Sequence, residues 1–327
     1  MGDCFEDWKV FGMVNLERLP DAARRVLIGA NPRAGTQNRR ALVEALSDEL
    51  VKSRFEPTIH GDVEELAAEA EKLLAGGKLR AVVAAGGDGT FRLMAERTPV
   101  GTPLVVLPLG TENLLARYIG FTADAPALAK IIAEGYTMPL DAGLAGTRLF
   151  TMMAGCGFDA EVVRRLHNER KGNIHHLSYA KPILEAISKY DYPELRVYYA
   201  PVDGGGTELT AEIAARWVFV VNLPRYAGGL SFAPQASGAD GLLDVCTFKE
   251  GSLLYGLMYL GGVILGQHEG MQDFTHVQTR RLRVEASGSV PFQLDGDPGG
   301  ELPAEFSSCP NRLKLVVSKN WASANPA

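Results

Sequence analysis

The strongest constraint on the fold of this chain is the alternation of uninterrupted apolar runs with helical patterns over residues 25–138. Three of these runs, RVLIGAN, RAVVAA and PLVVLP, are apolar apart from their ends, and a helical pattern follows each of them after a turn. A strand that is apolar throughout is typical of a parallel sheet covered on both faces. The alternation therefore predicts a parallel α/β domain, and ligands of such domains bind at the carboxyl ends of the strands.

The pattern changes past residue 138. Segments such as RWVFVVNLP, LLDVCTF and RLKLVVS read as strands separated by turn residues, which is typical of an antiparallel sandwich. Helical stretches near 159–190 and 251–266 interrupt these strands. We therefore predict four segments, which are an N-terminal extension (1–24), an α/β domain (25–138), a β-sandwich domain (139–318) and a C-terminal tail (319–327).

Composition argues against several classes of function. The net charge is −6, which disfavours nucleic acid as a partner because phosphate backbones attract basic surfaces. Four cysteines are scattered without metal-ligand or disulfide spacing, as expected of a cytoplasmic protein. The first residues mix acidic with apolar side chains, so we predict no secretory signal there.

The most apolar stretch, SLLYGLMYLGGVILG, occupies residues 252–266. As a helix it would be about 22 Å long, which is short of the roughly 30 Å hydrocarbon core of a bilayer. A buried helix is one interpretation of this stretch. A helix that lines a pocket for acyl chains is the other.

Three polar turns, NPRAG, GGDGT and PLGTEN, follow predicted strands. Glycine lets backbone N–H groups approach a phosphate group, and within GGDGT the Asp88 carboxylate could orient Mg²⁺ while Thr90 donates to a phosphate oxygen. The turn is not a P-loop, since no Gly-Lys-Ser/Thr sequence is present. A purely structural turn is the alternative, and in PLGTEN the alternative is that Thr111 is simply a helix N-cap.

Two Asp-Gly turns carry further carboxylates. In FQLDGDP, Asp295 and Asp297 either form a functionally silent hairpin turn or include a base that accepts the proton of an attacking hydroxyl. In SGADGLLDV, Asp240 is either a turn residue or a ligand of a hard cation, together with main-chain carbonyls. The residues alone leave both alternatives open.

The motifs in their order resemble one family. The succession NPRAG, GGDGT, LPLGTENLLAR, LDAG, GCGFDAEVV, NLPRYAGG, ADGLLDV and LDGDP is similar to the catalytic domain of diacylglycerol and sphingosine kinases, above all to the soluble bacterial lipid kinases. The resemblance covers about residues 25–318. GGDGT alone is shared with NAD kinases and phosphofructokinases, whereas the ordered set is much more specific.

The resemblance implies an ATP- and Mg²⁺-dependent enzyme with an ATP-binding α/β domain, a β-sandwich domain and an active site in the cleft between them. Such an enzyme transfers the γ-phosphoryl group of ATP to a lipid hydroxyl, such as that of diacylglycerol, and contacts the membrane peripherally. The implied nucleotide-binding residues are Asn31, Gly86, Gly87, Asp88, Gly89, Thr90 and Thr111. The implied metal-binding residues are Asp240, the carbonyls of Ser237 and Leu242, and Asp141, which would join Asp88 in a carboxylate–water–magnesium network. The implied catalytic proton acceptor is Asp295 or Asp297.

Two departures from the usual family motifs leave alternatives open. The family usually reads Asp-Gly-Glu where this chain ends the motif with Asp297, and a carboxylate withdrawn by about 1.5 Å can cost roughly a hundredfold in rate. The family commonly has Asn and Glu where this chain has Arg92 and Leu93, although Arg92 could itself reach a phosphate. The alternatives are an NAD kinase-like enzyme and a non-catalytic nucleotide- or lipid-binding protein of the same fold. A homodimer is also open.

Overall fold

The computed structural model describes residues 16–30, 37–169, 190–204, 206–226 and 229–324. Contacts divide the chain into two compact units, Met1–Asp141 with Pro310–Ala327, and Ala142–Cys309. This division places residues 310–318 with the first unit, whereas the sequence assigned them to the sandwich. The predicted domain limits remain a prediction.

The described strands are β1 (Glu17–Arg18), β2 (Arg25–Ala30), β3 (Glu56–His60), β4 (Leu79–Gly86), β5 (Pro103–Pro108), β6 (Tyr136–Ala145), β7 (Arg148–Phe150), β8 (Met153–Gly157), β9 (Leu195–Pro201), β10 (Ala211–Ala215), β11 (Trp217–Val221), β12 (Leu243–Phe248), β13 (Phe274–Ala286), β14 (Pro291–Leu294), β15 (Asp297–Glu301) and β16 (Ala304–Val316). The described α-helices are α1 (Gln37–Lys52), α2 (Val63–Ala75), α3 (Asp88–Arg97), α4 (Leu114–Tyr118), α5 (Ala125–Glu134), α6 (Phe158–Glu169), α7 (Leu253–Ile264) and α8 (Lys319–Ala324).

The sheet of the first unit is parallel, as predicted. Its strand order is β5-β4-β2-β3, and every neighbouring pair is parallel. The last part of β16 adds a further parallel strand beside β5, where Lys314 pairs with Pro103. Seven of the eight residues of β4 are buried, which explains why the sequence of this strand is apolar without alternation.

A buried arginine joins the sheet of the first unit to the end of a helix. Arg80, at the start of β4, is 1% exposed, and burial lowers the pKa of its guanidinium group. It donates to the carbonyl oxygens of Ile132 and Ala133 near the end of α5, and to those of Leu19 and Pro20. The guanidinium group therefore satisfies carbonyls that the last turn of a helix leaves without partners and favours the negative end of the helix dipole.

We expect the substitution Arg80→Met to lower the free energy of unfolding by about 2–4 kcal/mol, because it leaves several buried carbonyl groups without a hydrogen-bond donor. Urea unfolding of the purified protein measures the effect. The matched control is Arg24→Met, since the Arg24 guanidinium group makes an exposed hydrogen bond to the carbonyl of Arg54. That variant should stay within about 0.5 kcal/mol of wild type, and equal losses in the two variants would contradict a special role for Arg80.

The second unit is antiparallel, which confirms the fold class predicted for this part of the chain. One run of its strands is β15-β14-β8-β11-β12-β13. Strand β13 also pairs with β9 and with the first part of β16, and β9 pairs with β10. The two central strands, β11 and β12, are buried at every residue, so both faces of the sheet are covered here.

Alternate residues of the central strands enter two different hydrophobic clusters. Val218 and Val220 of β11 belong to a cluster built from strands. Trp217, Phe219 and Val221 belong to a second cluster, to which α6 and α7 also contribute. Successive side chains of a strand point to opposite faces, so one face packs within the sandwich and the other packs beneath helices.

Helix α7 corresponds to the most apolar stretch of the sequence. Its Gly256 lies against Trp217 and Tyr192, close enough that a Cβ atom would be 3.2 Å from the Trp217 ring. The opposite face is exposed, and Leu254 is 76% exposed. The helix predicted from the sequence is therefore present, but it is buried on one side alone. In the part of the chain that the structure describes, no helix combines the length and apolarity needed to cross a bilayer.

Candidate functional site

Two of the predicted nucleotide-binding turns lie against each other in the first unit. Gly87 is the N-cap of α3, directly after β4, and Gly110 follows β5. A Cβ atom built on Gly110 would lie 2.5 Å from the Cα atom of Gly87, so no side chain fits between the two turns. The structure thus brings GGDGT and PLGTEN together, as the parallel sheet predicted. The third turn begins at Asn31, which lies outside the described residues.

The carboxylate of Asp88 holds these two turns in place. Its Oδ2 accepts a hydrogen bond from the backbone N–H of Leu114 at 2.9 Å, and its Oδ1 accepts one from that of Leu115 at 3.0 Å. These are free donors of the first turn of α4, so Asp88 caps a helix that begins 26 residues later in the sequence. The positional N-cap of α4 is Asn113, whose side chain makes no capping bond and binds the backbone of Gly110 instead.

The other predicted residues of these turns have different surroundings. Gly86, Gly89 and Thr90 are half-buried, and the Thr90 side chain fills the space beside Gly86 that a Cβ atom would need. Thr111 is exposed and lies two residues before the N-cap Asn113, so the interpretation of Thr111 as that cap is wrong.

Beyond the glycine turn, Arg92 donates to the carboxylate of Glu96 one helical turn later, at 3.1 Å. Its side chain is 12% exposed. The guanidinium group that could have reached a phosphate is thus paired with Glu96 within α3.

Asp141 is a buried residue of β6 with a backbone partner in a distant part of the chain. It is 1% exposed, and its Oδ1 accepts a hydrogen bond from the backbone N–H of Asn311 at 2.7 Å. This bond joins β6 to β16 within the first unit. The predicted magnesium network of Asp88 and Asp141 remains a prediction.

In the second unit, Asp295 and Gly296 form the two-residue turn between β14 and β15. Both have positive φ angles, 51° and 83°, and Leu294 pairs with Asp297 across the turn, as in a type I′ hairpin. The hairpin predicted as one of two alternatives is therefore present. It does not decide whether the turn is silent.

The Asp295 carboxylate is bound by four donors. Its Oδ2 accepts from the backbone N–H and the hydroxyl of Thr151 at 2.7 and 3.0 Å, and its Oδ1 accepts from the N–H groups of Met152 and Met153 at 2.8 and 3.1 Å. A carboxylate has about four lone-pair sites, and hydrogen bonds to the charged form stabilise that form. Asp295 is therefore an anchor of the turn and a poor proton acceptor, whereas Asp297, half-buried at the start of β15, stays a candidate.

A buried carboxylate that the sequence analysis did not single out lies beside this hairpin. Asp159, in the first turn of α6, accepts a hydrogen bond from the Tyr226 hydroxyl at 2.9 Å and one from Nε2 of Gln293 at 2.8 Å. Burial raises the pKa of Asp159 to about 6, against the lowering effect of these two hydrogen bonds. A Cβ atom on Gly155 would collide with this carboxylate. Gly155, the first glycine of GCGFDA, is therefore the signal in the sequence that indicates a side chain packed against the strand here.

We expect the stability of wild type relative to the variant Asp159→Asn to fall as the pH rises from about 4 to about 6. The folded-state pKa is raised, so the folded protein binds this proton more tightly than the unfolded chain does. The advantage is complete below the unfolded pKa of about 4 and is lost above the folded pKa of about 6. A pKa shift of about two units corresponds to about 3 kcal/mol, which urea unfolding at several pH values measures. A stability difference that stays constant from pH 4 to pH 7 would contradict the raised pKa.

The predicted cation site contains a partly buried carboxylate. Asp240 Oδ1 accepts a hydrogen bond from the backbone N–H of Leu242 at 2.9 Å. The hydroxyl oxygen of Ser237 accepts one from the backbone N–H of Ala239 at 3.3 Å. Burial raises the pKa of the Asp240 carboxyl, and the negative charge of Asp244 raises it further.

A second carboxylate, that of Asp244, affects whether the residues around Asp240 could bind a cation. It is 1% exposed, and its Oδ1 lies 2.6 Å from Nε2 of His276, whose pKa is raised by that bond. Its buried Oδ2 has no hydrogen-bond partner in the described part of the chain. No group of three or more His, Cys, Asp or Glu side chains among the described residues is placed to hold a metal ion. Carboxylates such as those of Asp240 and Asp244 are nonetheless donors of the kind that hard cations prefer.

Two families match consecutive parts of this chain. The family described as "Diacylglycerol kinase catalytic domain" matches residues 25–145, and the one described as "YegS C-terminal NAD kinase beta sandwich-like domain" matches residues 152–317. The matches cover the parallel and the antiparallel parts of the chain respectively.

Relatives and solved structures agree with these matches. A protein of Pseudomonas aeruginosa named "Probable lipid kinase YegS-like" is 30% identical over 90% of this chain and 94% of its own length. The "Diacylglycerol kinase" of Bacillus subtilis is 26% identical over 91% and 98%. Among solved structures, a diacylglycerol kinase of Bacillus anthracis superposes with a TM-score of 0.65 at 18% identity, covering 91% of this chain and 98% of that chain. An NAD kinase of Archaeoglobus fulgidus in complex with ATP has a TM-score of 0.51 at 12% identity, covering 90% and 94%. The two structures show that the fold is shared.

Proposed function

This chain belongs to the diacylglycerol kinase family of lipid kinases, which are phosphotransferases with an alcohol group as acceptor, and we propose that it transfers the γ-phosphoryl group of ATP to the hydroxyl of diacylglycerol or a related amphiphilic alcohol. The lipid hydroxyl oxygen forms a bond to the γ-phosphorus while the bond from that phosphorus to the β,γ-bridging oxygen breaks. The products are ADP and the phosphorylated lipid. The hydroxyl proton passes to a carboxylate of the protein.

The observation that carries this proposal is the pair of glycine turns that Asp88 fixes at the carboxyl ends of β4 and β5. Phosphoryl transfer depends on positioning and on neutralising charge rather than on covalent help from the protein. Gly87 and Gly110 bring the backbones of the two turns into direct contact at the strand ends, where ligands of parallel sheets bind. We assign ATP binding to Gly86, Gly87, Asp88, Gly89, Thr90 and Thr111 of this rim, and also to Asn31, which lies outside the described residues.

Asp297 is the proposed proton acceptor. The Asp295 carboxylate is occupied by donors from residues 151–153, and its role is to hold the turn. Asp297 follows Gly296 directly, so the same turn fixes its backbone. This division of roles between the two aspartates replaces the joint candidacy that the sequence allowed.

Magnesium is the proposed metal cofactor. When bound, it neutralises charge on the phosphates. Asp88 and Asp141 would hold it with the nucleotide, since carboxylate oxygens are ligands that Mg²⁺ prefers. A second, structural magnesium would take Asp240 and the carbonyls of Ser237 and Leu242.

We expect purified wild-type protein, given ³²P-labelled ATP, Mg²⁺ and mixed micelles of single lipids, to label diacylglycerol or another hydroxylated lipid. The panel includes NAD and a lipid without a hydroxyl group, and thin-layer chromatography identifies the product. Labelled NADP with unlabelled lipids would replace the proposal by an NAD kinase-like activity. Tight ATP binding without any labelled product would make the chain a binding protein.

The variants Asp297→Asn and Asp295→Asn separate the two aspartates in the same assay. Asp297→Asn should lower turnover by about a hundredfold or more, because general base catalysis contributes roughly 10²–10⁴, while ATP binding is kept. Asp295→Asn should lose about 2–3 kcal/mol of stability, because an amide cannot accept from all four donors. Full turnover in Asp297→Asn would remove the proposed base.

Peripheral membrane contact through α7 is part of the proposal, since a lipid substrate lies in a bilayer. Of the eleven exposed large apolar side chains among the described residues, six lie between Leu253 and Leu265. Residues 251–267 include no Asp, Glu, Lys or Arg. Large exposed apolar patches mark membrane or protein interaction sites, and insertion into a bilayer would bury this face of α7 without burying a charge.

We expect the double variant Leu254→Glu/Leu257→Glu to reduce binding to sedimented phosphatidylglycerol–phosphatidylethanolamine vesicles by at least about tenfold, since each buried leucine contributes roughly 1.5–3 kcal/mol. The matched control is Val51→Glu/Val100→Glu, because Val51 and Val100 are exposed apolar residues of the first unit. Equal loss in both proteins would show a general effect of charge, and unchanged binding in the α7 variant would place the contact elsewhere.

A further inference from the structure

Gln293 is a fully buried amide that connects the hairpin turn to another element. It is 0% exposed on β14. Its Oε1 accepts the backbone N–H of Gly296 at 2.7 Å, and its Nε2 donates to Oδ2 of Asp159 at 2.8 Å. The orientation of the amide is thereby set at both ends, because the Gly296 N–H needs an acceptor and the Asp159 carboxylate needs a donor.

The far end of this connection is itself anchored. Asp159 lies in the first turn of α6 and receives a second hydrogen bond from the Tyr226 hydroxyl. Gly155, which pairs with Gln293 across β8 and β14, leaves room for the Asp159 carboxylate over the strand. The glycine, the glutamine and the aspartate thus form one buried polar unit, and such units are costly when a single member is removed.

We propose that Gln293 is a positioning residue for phosphoryl transfer, which ties the Asp295–Gly296 turn to Asp159 and so fixes the backbone from which Asp297 accepts the proton. This inference rests on the proposed function. The turn has two anchors, and they act on successive residues. The Asp295 side chain holds the first residue of the turn to Thr151, and the Gln293 amide holds the N–H of the second.

The second anchor matters because Asp297 lies on an edge strand of the described sheet. β15 stands at the end of the strand order and pairs with β14, and the register of that pair shifts between Phe292 and Gln293. An acceptor displaced by about 1 Å can lose roughly a hundredfold in rate. Loss of the amide should therefore change kcat and leave the binding of ATP by the first unit unchanged.

The direct test is Gln293→Met, which keeps the length of the side chain and removes both hydrogen bonds. We expect kcat to fall at least about tenfold, with the KM for ATP within about twofold of wild type. Thr279→Val is the matched control, since it removes a buried hydrogen bond from Thr279 to the carbonyl of Ala200 in the same unit. The control should keep its kcat. Equal falls in the two variants, or no fall in Gln293→Met, would overturn the proposal.

A second readout does not depend on activity. In Gln293→Met the N–H of Gly296 loses its acceptor, so its hydrogen exchange, followed by NMR, should become at least about fivefold faster, as expected for a net hydrogen bond of about 1 kcal/mol. If wild type phosphorylates no lipid, the proposed function fails while this measurement still reports whether Gln293 holds the turn. Unchanged exchange at Gly296 would show that it does not.

Asp159→Asn tests the far end and serves if Gln293→Met does not fold. It keeps the shape of the side chain but turns an amide toward Gln293 or Tyr226, and we expect a fall in kcat of at least about fivefold. If Asp159 acts through Gln293, the two substitutions together should cost little more than Gln293→Met alone. Unchanged kcat in Asp159→Asn, or strictly multiplicative effects, would contradict the connection.

Discussion

The local structure at the predicted site depends on one kind of interaction, in which an aspartate carboxylate accepts backbone N–H groups from a distant segment. Asp88 binds α4 across 26 residues, Asp141 binds Asn311 across 170, and Asp295 binds Met152 across 143. Hydrogen bonds to a charged partner contribute about 1.5–3 kcal/mol each. The Asp88 and Asp295 bonds fix the turns that follow β4, β5 and β14, and the Asp141 bond joins β6 to β16.

Because of these bonds, the aspartates that stabilise the fold are also the side chains that the sequence motifs suggest for catalysis. An acidic residue in a conspicuous motif invites a catalytic assignment, yet four donors around Asp295 stabilise its anion and oppose proton transfer. We therefore propose the catalytic role for Asp297, the neighbour of this anchored turn. Asp88 is intermediate between these cases, since two amide donors hold it and its remaining lone pairs are available to water or a metal.

Much of the fold was predictable because buried parallel strands leave a continuous apolar signature, as in β4, and an Asp-Gly pair between strands specifies a tight hairpin.

The partners that side chains find in distant parts of the chain were not predictable. Thr111 looked like the cap of α4, but the capping carboxylate comes from Asp88 in another turn. The apolar pattern of RLKLVVS identified a strand but could not reveal that its end pairs with β5. Arg80 read as the edge of a strand, because nothing local indicates that helix carbonyls surround it. Nothing local indicates the pairing of Gln293 with Asp159 of α6 either, because that pairing depends on the register that places Gln293 beside Gly155 of β8.

The two anchors of this turn also limit how far the backbone at Asp297 can move. This matters because the family resemblance leads us to expect a glutamate, which is longer, at this position. A flexible turn could move forward and compensate for the missing methylene. This turn has little freedom to do so, because the Asp295 carboxylate and the Gln293 amide hold consecutive residues of a type I′ geometry. Under the proposed assignment of Asp297 as the proton acceptor, the shorter side chain leaves the carboxylate about 1.5 Å further back, and the acceptor hydroxyl must approach the hairpin by that distance for the proton to transfer within hydrogen-bond reach.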